Sequence, residues 1–564
     1  MAQAQKKTHP AEVSPRPMQI LMIAAPFLLG GYYEWAACLL GLYLVGCLLY
    51  CRGRRGFLLI PRSPTLLAAA VLAAFYGLSA IWGVDHGMAL FGFVKFLPLP
   101  LFVLAAAQLG EDGRRSLLAP LPFTGAAMTV LSLLLARVPV LSEYLAVNGR
   151  LGGFFQYPNT FSLFLLAGAV MILFREKLTW KELVCLPILF FGVAMTGSRT
   201  TFLLLIAVVI GYGIWQKDKR YRLAVIGLAG LLIAATAVYA VVSGNLASVG
   251  RYLTTSLSST TFLGRMLYYQ DAIPVIAKHP FGLGYMGYVY TQGAFKTGVY
   301  HIMHVHNDLL QIMLDVGWIP AGFFVWAVVK SLLPGRNTAA GRAVIAVICV
   351  HCMLDFDMQY LAMDFILLAA MGTEAEPTER LSRPTALQVC GGLLGILFLY
   401  AGAASGMYYL KDYADAARLY PGYTSAWQQL LSEAETAGEM EDIAERIFRM
   451  SDSVSVAWSA RARAAFSRGD FGTMIECKRR CIALQRYALD EYLDYFDMLE
   501  VGVTLYRQAG DAQSAAYCLQ CLREIPAMLE QVREETSALG WRIQNQPITT
   551  LPDRYLVRLA ALTG

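Results

Sequence analysis

Residues 304–311, HVHNDLLQ, place two histidines, an amide and a carboxylate at the start of a long apolar segment. His304 and His306 are two of only seven histidines in the chain. Imidazole takes up a proton near neutral pH, so a histidine here could act as a general base, with Asn307 orienting the ring or a substrate. The H-x-H spacing could instead bind a metal ion together with Asp308 and Asp315, although such a site needs three or four ligands. The third interpretation is a polar anchor at a membrane surface.

Other polar residues that could take part in chemistry stand at the ends of further apolar segments. They are Arg150, Asn159, Arg199, Arg251, Arg265, Asp355 and Asp357. A cluster of guanidinium groups is suited to binding phosphate or pyrophosphate through paired hydrogen bonds. Any one arginine could also form a salt bridge or extend its charged head to the membrane surface. Arg199 and Arg265 together, beside a pair of histidines, favour phosphate binding.

The composition is that of a membrane protein. Hydrophobic residues make up 57% of the 564 residues and charged residues 15%, whereas soluble chains average about 45–50% and about 25%. The net charge of +6 does not indicate nucleic-acid binding, because the basic residues fall in short connections between apolar segments. We expect an all-α fold, a polytopic bundle of about 12–13 transmembrane helices, with no cleaved signal peptide.

Thirteen apolar segments in residues 18–408 are predicted to cross the membrane. They are 18–32, 34–51, 64–83, 90–109, 117–137, 158–175, 181–196, 199–215, 221–243, 309–330, 341–355, 359–373 and 386–408. The eleventh and twelfth are short, and LDFDMQY between them could be a break within one helix. Residues 18–408 therefore form a predicted transmembrane domain, with a large loop at 244–308.

The basic residues give an orientation for this domain. They concentrate in alternate connections, for example at Arg52, Arg54 and Arg55, which places these connections and the N-terminal tail 1–17 in the cytoplasm. The loop 244–308 and all the polar residues named above then lie outside the cytoplasm. We expect one extracytoplasmic site to contain them.

Residues 411–564 form a polar tail with amphipathic helical patterns. Helices separated by G-D or G-x-x turns recur at spacings of about 31–36 residues, which resembles degenerate tetratricopeptide repeats; the alternative is an irregular helical bundle. The tail lies outside if the thirteenth segment crosses the membrane, and it could bind a protein partner. Its cysteines are interpreted as core residues, with a disulfide or a zinc site as alternatives; they are Cys477, Cys481, Cys518 and Cys521.

Five motifs occur in a fixed order between about residues 145 and 373. They are RLGGFFQYPNTFSLFLL, TGSRTTFLLL, GRMLYYQDAIPVIAKHPFGLGYMGY, HVHNDLLQIMLDVGWIPAGFFVW and HCMLDFDMQYLAMDFILLAAMG. The fourth resembles the H-N-D-x-L-Q-x-x-x-(E/D)-x-G-x-x-G signature of the O-antigen ligase and O-antigen polymerase superfamily. The other four resemble further motifs of that superfamily, in the same order.

This resemblance implies a membrane glycosyltransferase that transfers or polymerises a glycan from undecaprenyl pyrophosphate onto an acceptor hydroxyl. The reaction would take place at the outer face of the bacterial plasma (inner) membrane. On the matched positions, His306 would be the general base, and Arg199 and Arg265 would bind the pyrophosphate. The residues expected to assist substrate binding are Arg150, Asn159, Asn307, Asp355 and His304.

The resemblance also implies the partners of the enzyme. They are the lipid-linked donor, a glycan, lipid or protein acceptor and the lipid bilayer, with no nucleic acid. We expect no cofactor and no metal, because a pyrophosphate leaving group needs mainly charge stabilisation and one base.

Two other classes of protein fit the sequence less well. A flippase or exporter of lipid-linked glycans would carry charges along the interiors of its spans and internally repeated halves. The sequence shows neither feature: Lys95 is the only clear charge well inside an early span, and the polar groups gather on one face. A non-catalytic scaffold that presents the tail leaves the arginines unexplained.

Overall fold

The computed structural model describes residues 13–175, 179–242, 260–372 and 378–563. The helices before the large loop are α1 (Arg16–Phe27), α2 (Glu34–Arg55), α3 (Pro64–Trp82), α4 (Ala89–Phe96), α5 (Pro98–Ala107), α6 (Glu111–Arg115), α7 (Leu121–Leu135), α8 (Pro139–Leu145), α9 (Pro158–Leu173), α10 (Trp180–Thr196), α11 (Arg199–Trp215) and α12 (Lys219–Val242). Those that follow, up to the tail, are α13 (Thr260–Lys278), α14 (Gly287–Phe295), α15 (Asp308–Val316), α16 (Trp318–Leu332), α17 (Ala339–Cys352), α18 (Leu361–Met371) and α19 (Pro384–Tyr409).

Strands are few and short among the described residues. β1 (Leu58–Pro61) pairs antiparallel with β4 (Thr378–Leu381), and β2 (Ala146–Val147) pairs with β3 (Arg150–Leu151). The pairing of β1 with β4 joins the two ends of the membrane domain, which sequence patterns did not predict.

The all-α membrane fold expected from the sequence is confirmed. Helices occupy each of the thirteen apolar segments. Five helical stretches are long and apolar enough to cross a membrane, namely Glu34–Arg55, Pro64–Trp82, Ala89–Ala107, Glu111–Leu135 and Thr385–Tyr409. The third combines α4 with α5, and the fourth combines α6 with α7. Shorter apolar helices include Pro158–Leu173 and Trp318–Leu332. α9 is apolar all round and almost wholly buried, as expected of a helix surrounded by others.

Three predicted elements are divided differently in the structure. The segment 90–109 is split at Leu97 into α4 and α5, and the segment 309–330 is split at Gly317 into α15 and α16. Gly317 has φ +84°, and a Cβ there would lie 2.1 Å from the carbonyl oxygen of Pro280, so only glycine fits. The loop 244–308 contains α13 and α14, and LDFDMQY separates two helices, α17 and α18.

The tail consists of α20 (Tyr413–Leu419), α21 (Thr424–Glu433), α22 (Ala437–Phe448), α23 (Ser455–Ser467), α24 (Phe471–Leu484), α25 (Leu489–Gln508), α26 (Ala512–Glu535) and α27 (Asp553–Thr563). The two G-D turns work as expected. Gly469 and Gly510 adopt positive φ, and Asp470 and Asp511 then accept the backbone N–H groups that open α24 and α26. The assignment to tetratricopeptide repeats stays a prediction. All four tail cysteines are buried free thiols, in agreement with the core interpretation.

The tail packs against one face of the membrane domain. The backbone N–H of His86 donates to the Met450 carbonyl over 3.1 Å, and the Tyr420 hydroxyl donates to the Gly87 carbonyl over 2.6 Å. The Arg486 guanidinium donates to the Lys296 carbonyl through two nitrogens. We call this face the site face, because His306 also lies on it, and we call the face that carries β1 and β4 the opposite face.

Candidate active site

Asp355 is the centre of the site. It lies in the break between α17 and α18, and its side chain is 2% exposed. Oδ1 accepts from His306 Nδ1 at 3.2 Å and from the Tyr157 hydroxyl at 2.8 Å. Oδ2 accepts from Arg265 Nη2 at 3.1 Å and from Asn159 Nδ2 at 2.7 Å. One buried carboxylate therefore joins four side chains from three distant parts of the sequence.

The charges around Asp355 keep it ionised. Burial alone would raise the pKa of this carboxyl, but the positive charge of Arg265 and the hydrogen bond from His306 outweigh it and hold the pKa well below its usual range. An ionised Asp355 accepts hydrogen bonds only, so the ring nitrogen of His306 that faces it carries the proton. This leaves Nε2 of His306 as the nitrogen that can accept one.

The loop before α15 holds His306 in a left-handed backbone conformation, with φ +54°. Such a conformation is costly for a residue other than glycine, so the surrounding contacts must maintain it. The Tyr269 hydroxyl donates to the His306 carbonyl over 2.6 Å. Asn307 caps α15 by accepting from the N–H of Leu310 and donates to the Met353 carbonyl. Asn307 therefore supports the loop, and its predicted contact with substrate stays a prediction.

Arg150 and Asn159 extend the network toward α11. Arg150 Nη2 donates to Asn159 Oδ1 over 2.6 Å, and Arg150 Nε donates to the Thr196 carbonyl over 2.7 Å. The Arg150 side chain packs over Gly197, and Arg199 begins α11 two residues further on. Arg150 and Arg199 therefore both lie at the turn between α10 and α11. Asn159, which contacts both Arg150 and Asp355, connects this turn to the carboxylate.

A second polar network lies beneath the first. Asp357 accepts from His351 Nδ1 at 2.6 Å and from the Thr160 hydroxyl at 2.7 Å. The other ring nitrogen of His351 lies 3.1 Å from the Thr201 hydroxyl, which also contacts Ser198, the residue before α11. These groups are buried, and they connect α9, α11 and α17 directly below the site.

His304 is not equivalent to His306. It is buried, its Nε2 lies 3.1 Å from the Tyr32 hydroxyl, and its ring lies 5.1 Å from that of Phe356. Burial, followed by the charges of Lys95 and His306, lowers its pKa well below the usual range, so His304 is neutral. It packs behind the site and supports the loop.

The two histidines do not form the metal site considered from their spacing. Within the described residues, three potential ligands from different side chains come within 4.8 Å of one another at Asp308, Cys352 and Asp357, and neither His304 nor His306 belongs to that group. His306 instead uses its Nδ1 on Asp355. The predicted ligand Asp315 accepts from the Tyr76 hydroxyl and from Gln311, away from the histidines.

Charges inside the bundle are more numerous than the sequence indicated. Lys95 is buried with Gln359 at 3.3 Å, and Asp315, Asp364 and Glu34 are buried in neighbouring helices. Glu34 accepts from Tyr285 and Tyr409. The scarcity of interior charges was an argument against a flippase, and these residues weaken it.

Tyr157 and Tyr269 were not identified from the sequence. Tyr157 stands two residues before Asn159 in the motif FFQYPN, and Tyr269 follows Arg265 by one helical turn. Both tyrosines thus stand close in sequence to predicted site residues, but tyrosine is too frequent in the chain for spacing alone to identify them. Arg251 lies outside the described residues, within the gap 243–259.

By fold and site, the protein is a helical membrane protein with a histidine, a carboxylate and an arginine joined at one end of its bundle. The family model described as O-antigen ligase matches residues 184–327. This match supports the O-antigen ligase and polymerase superfamily that the motifs indicated, and with it an enzyme of glycosyltransferase type and a lipid-linked glycan donor. The matched residues include Arg199, Arg265 and His306, whereas Arg150, Asn159 and Asp355 lie outside them. No curated protein matches the chain.

Proposed function

We propose that the protein transfers or polymerises a glycan from undecaprenyl pyrophosphate onto an acceptor hydroxyl at the outer face of the plasma membrane. The observation that carries this proposal is the double use of Asp355, which binds His306 through one oxygen and Arg265 through the other. A base and a cation are thereby held on either side of one fixed carboxylate. Acid–base chemistry next to a phosphate is the chemistry that this arrangement supports.

His306 is proposed as the general base. Asp355 fixes the ring so that Nε2 can take the proton of the acceptor hydroxyl as the oxygen attacks the anomeric carbon. The bond between that carbon and the pyrophosphate oxygen breaks, and undecaprenyl pyrophosphate leaves with the bonding electrons. Direct displacement of this kind inverts the configuration at the anomeric carbon.

Arg265 and Arg199 are proposed to bind the pyrophosphate. Arg265 uses Nη2 on Asp355, while its Nε is a buried donor with no hydrogen-bond partner among the described residues. A buried hydrogen-bond donor without a partner costs free energy, and an oxygen of a bound pyrophosphate would supply that partner. Fixed arginines can stabilise the negative charge that develops on the leaving group. The acceptor is a glycan, a lipid or a protein, and ligase and polymerase activity share all of these features.

The proposal is tested with purified protein and a synthetic undecaprenyl-pyrophosphate glycan. His306→Ala should lower kcat by about 100-fold or more, since a general base contributes about 10²–10⁴-fold. The matched control is His279→Ala, which removes an exposed imidazole just after α13 and should retain most of the activity. Full activity in a correctly folded His306→Ala protein would rule out the base. Activity lost on adding EDTA and restored by a divalent cation would instead support a metal-dependent reaction.

A further inference from the structure

A cavity of about 760 Å³ opens on the opposite face of the membrane domain. It lies between the first turn of α3, the last turn of α16 and the end of α18. α3 and α16 run in opposite directions, and their other ends bind the connection 279–282 on the site face through Trp82 and Trp318. The volume is within the range of about 300–1,000 Å³ that is typical of small-molecule sites.

The polar part of this cavity is positively charged. Arg62, Lys330 and Arg336 line it, and the lysine and Arg336 are exposed. Arg62 forms an ion pair with Glu379 of β4. Lys330 and Arg336 have no carboxylate partner in the part of the chain that the structure describes. Two cationic groups therefore face the cavity without a compensating acid among those residues.

Apart from Ser63, Thr65 and Ser331, the rest of the lining is apolar. Leu67 and Ala70 on α3 and Trp326 on α16 form one wall, and Leu67 and Trp326 are both exposed. Tryptophan is enriched where a membrane meets water, because its ring is amphipathic. The cleft further inside, which shares Thr65 and Met371 with the cavity, holds only about 40 Å³, room for about one water molecule. An apolar chain must therefore lie along the outer wall.

We propose that this cavity binds an anionic phospholipid, with its phosphate between Lys330 and Arg336 and an acyl chain along Leu67, Ala70 and Trp326. Arginine and lysine are the side chains that bind phosphate oxygens through charge-assisted hydrogen bonds. The orientation predicted from the basic residues puts the opposite face at the cytoplasmic surface, where basic pockets between helices bind the head groups of the anionic lipids abundant in that leaflet. The site is separate from the one that contains His306, and it does not depend on the proposed reaction.

The test is a titration of the purified full-length protein in detergent with phosphatidylglycerol, with bound lipid counted by native mass spectrometry. Lys330→Gln combined with Arg336→Gln should weaken binding by about 25-fold, since each basic residue near a lipid surface contributes about fivefold. The control is Lys219→Gln combined with Arg220→Gln, an exposed basic pair at the start of α12 outside the cavity. The control protein should bind as the wild type does.

Four results would overturn the proposal. They are equal loss in the control protein, equal binding of phosphatidylcholine, displacement of the lipid by millimolar inorganic phosphate, and a clear preference for undecaprenyl phosphate over phosphatidylglycerol. Thermal unfolding in detergent is measured for each variant. If the double variant unfolds at a lower temperature than the control, Lys330→Gln alone is used, and it should weaken binding by about fivefold.

Discussion

Asp355 determines how His306 can react. A buried carboxylate that accepts from an imidazole, a guanidinium, an amide and a phenol has nearly all its lone pairs filled. It cannot easily move toward a substrate, so its contribution is to fix its neighbours. The left-handed backbone at His306 indicates the same, since the loop is held in a conformation that histidine would otherwise avoid.

Asp355→Asn should lower kcat by about 100-fold or more without unfolding the protein. The amide can present its NH₂ group to His306, which favours the wrong protonation of the ring, and it no longer balances the charge of Arg265. The measurement is glycan transfer, with circular dichroism to show that the fold is kept. An asparagine variant with wild-type kcat would show that the charge of Asp355 is not needed.

Asp355→Asn should also change how the stability of the protein depends on pH. The pKa of Asp355 is lowered in the folded protein, so its contribution to stability is complete above the ordinary carboxyl pKa of about 4 and is lost as the pH falls through the lowered value. In acid, the wild type should therefore lose more stability than Asp355→Asn does. Thermal unfolding of both proteins in detergent at pH 6 and pH 3 checks this difference.

His306, Arg265 and Asp355 could be predicted from the sequence because histidines are rare in it and charges are rare near its apolar segments. Tyr157 and Tyr269 could not be predicted in the same way. The chain has 30 tyrosines, so residue type and position alone do not distinguish the hydroxyls that bind Asp355 or the His306 carbonyl. Only the fold brings residues 157, 269 and 355 into one site.

At the level of the elements, the network around Asp357 and His351 determines where α11 begins. Thr201 in its first turn contacts His351 of α17, and Ser198 before it contacts Thr201. Asp357 lies two residues after Asp355 and joins α9 through Thr160. The helix that carries Arg199 and the break that carries Asp355 are therefore fixed to the same buried groups.

His351→Leu should destabilise the protein and weaken donor binding. Asp357 would lose a 2.6 Å hydrogen bond in a buried place, and an unsatisfied buried polar group costs about 1–3 kcal/mol, or more if charged. The shift of α11 should raise KM for the donor more than it lowers kcat. Val350→Ala, on the lipid-facing side of the same helix, is the matched control and should change neither constant. Equal effects of the two substitutions would exclude a positioning role.

The positions of helices were well predicted from apolar length, but their interruptions were not. The split at Gly317 follows from the close approach of the Pro280 carbonyl, which is a contact between residues about 37 apart that periodicity cannot reveal. The helices α13 and α14 were missed because their residues are mixed apolar and polar, without the long apolar run that indicates a span. Both cases concern the polar loop region that builds the site.

For the whole molecule, the side of the tail depends on α19. The sequence left this open, because the tail changes side if residues 386–408 do not cross the membrane. In the structure α19 begins just after β4, on the opposite face, and packs along α2, where Gly41 contacts the ring of Phe398. It ends at the tail, which contacts the site face through Tyr420 and Arg486. Its 26 residues span about 39 Å, enough for a hydrocarbon core of about 30 Å.

A cysteine on the tail should therefore react from the outside of intact spheroplasts. Gln513→Cys places a thiol at an exposed position at the start of α26, and Lys219→Cys places one at the start of α12, on the opposite face. Both are made in a Cys390→Ser background, because Cys390 is the exposed natural cysteine and the other ten are buried or half-buried. With a membrane-impermeant maleimide, Gln513→Cys should be labelled directly and Lys219→Cys only after permeabilisation.

The two thiols together separate the possible topologies. Labelling of Lys219→Cys alone, without permeabilisation, would show that the whole domain has the opposite orientation. His306 would then lie in the cytoplasm and could not serve a reaction at the outer face. Protection of both thiols would mean that α19 does not cross, in which case the contacts of Arg486 with Lys296 and of Tyr420 with Gly87 could not form. Because Lys296 lies on the loop segment that leads to His304 and His306, the tail that binds it through Arg486 and the proposed active site must share one side of the membrane to have the geometry described.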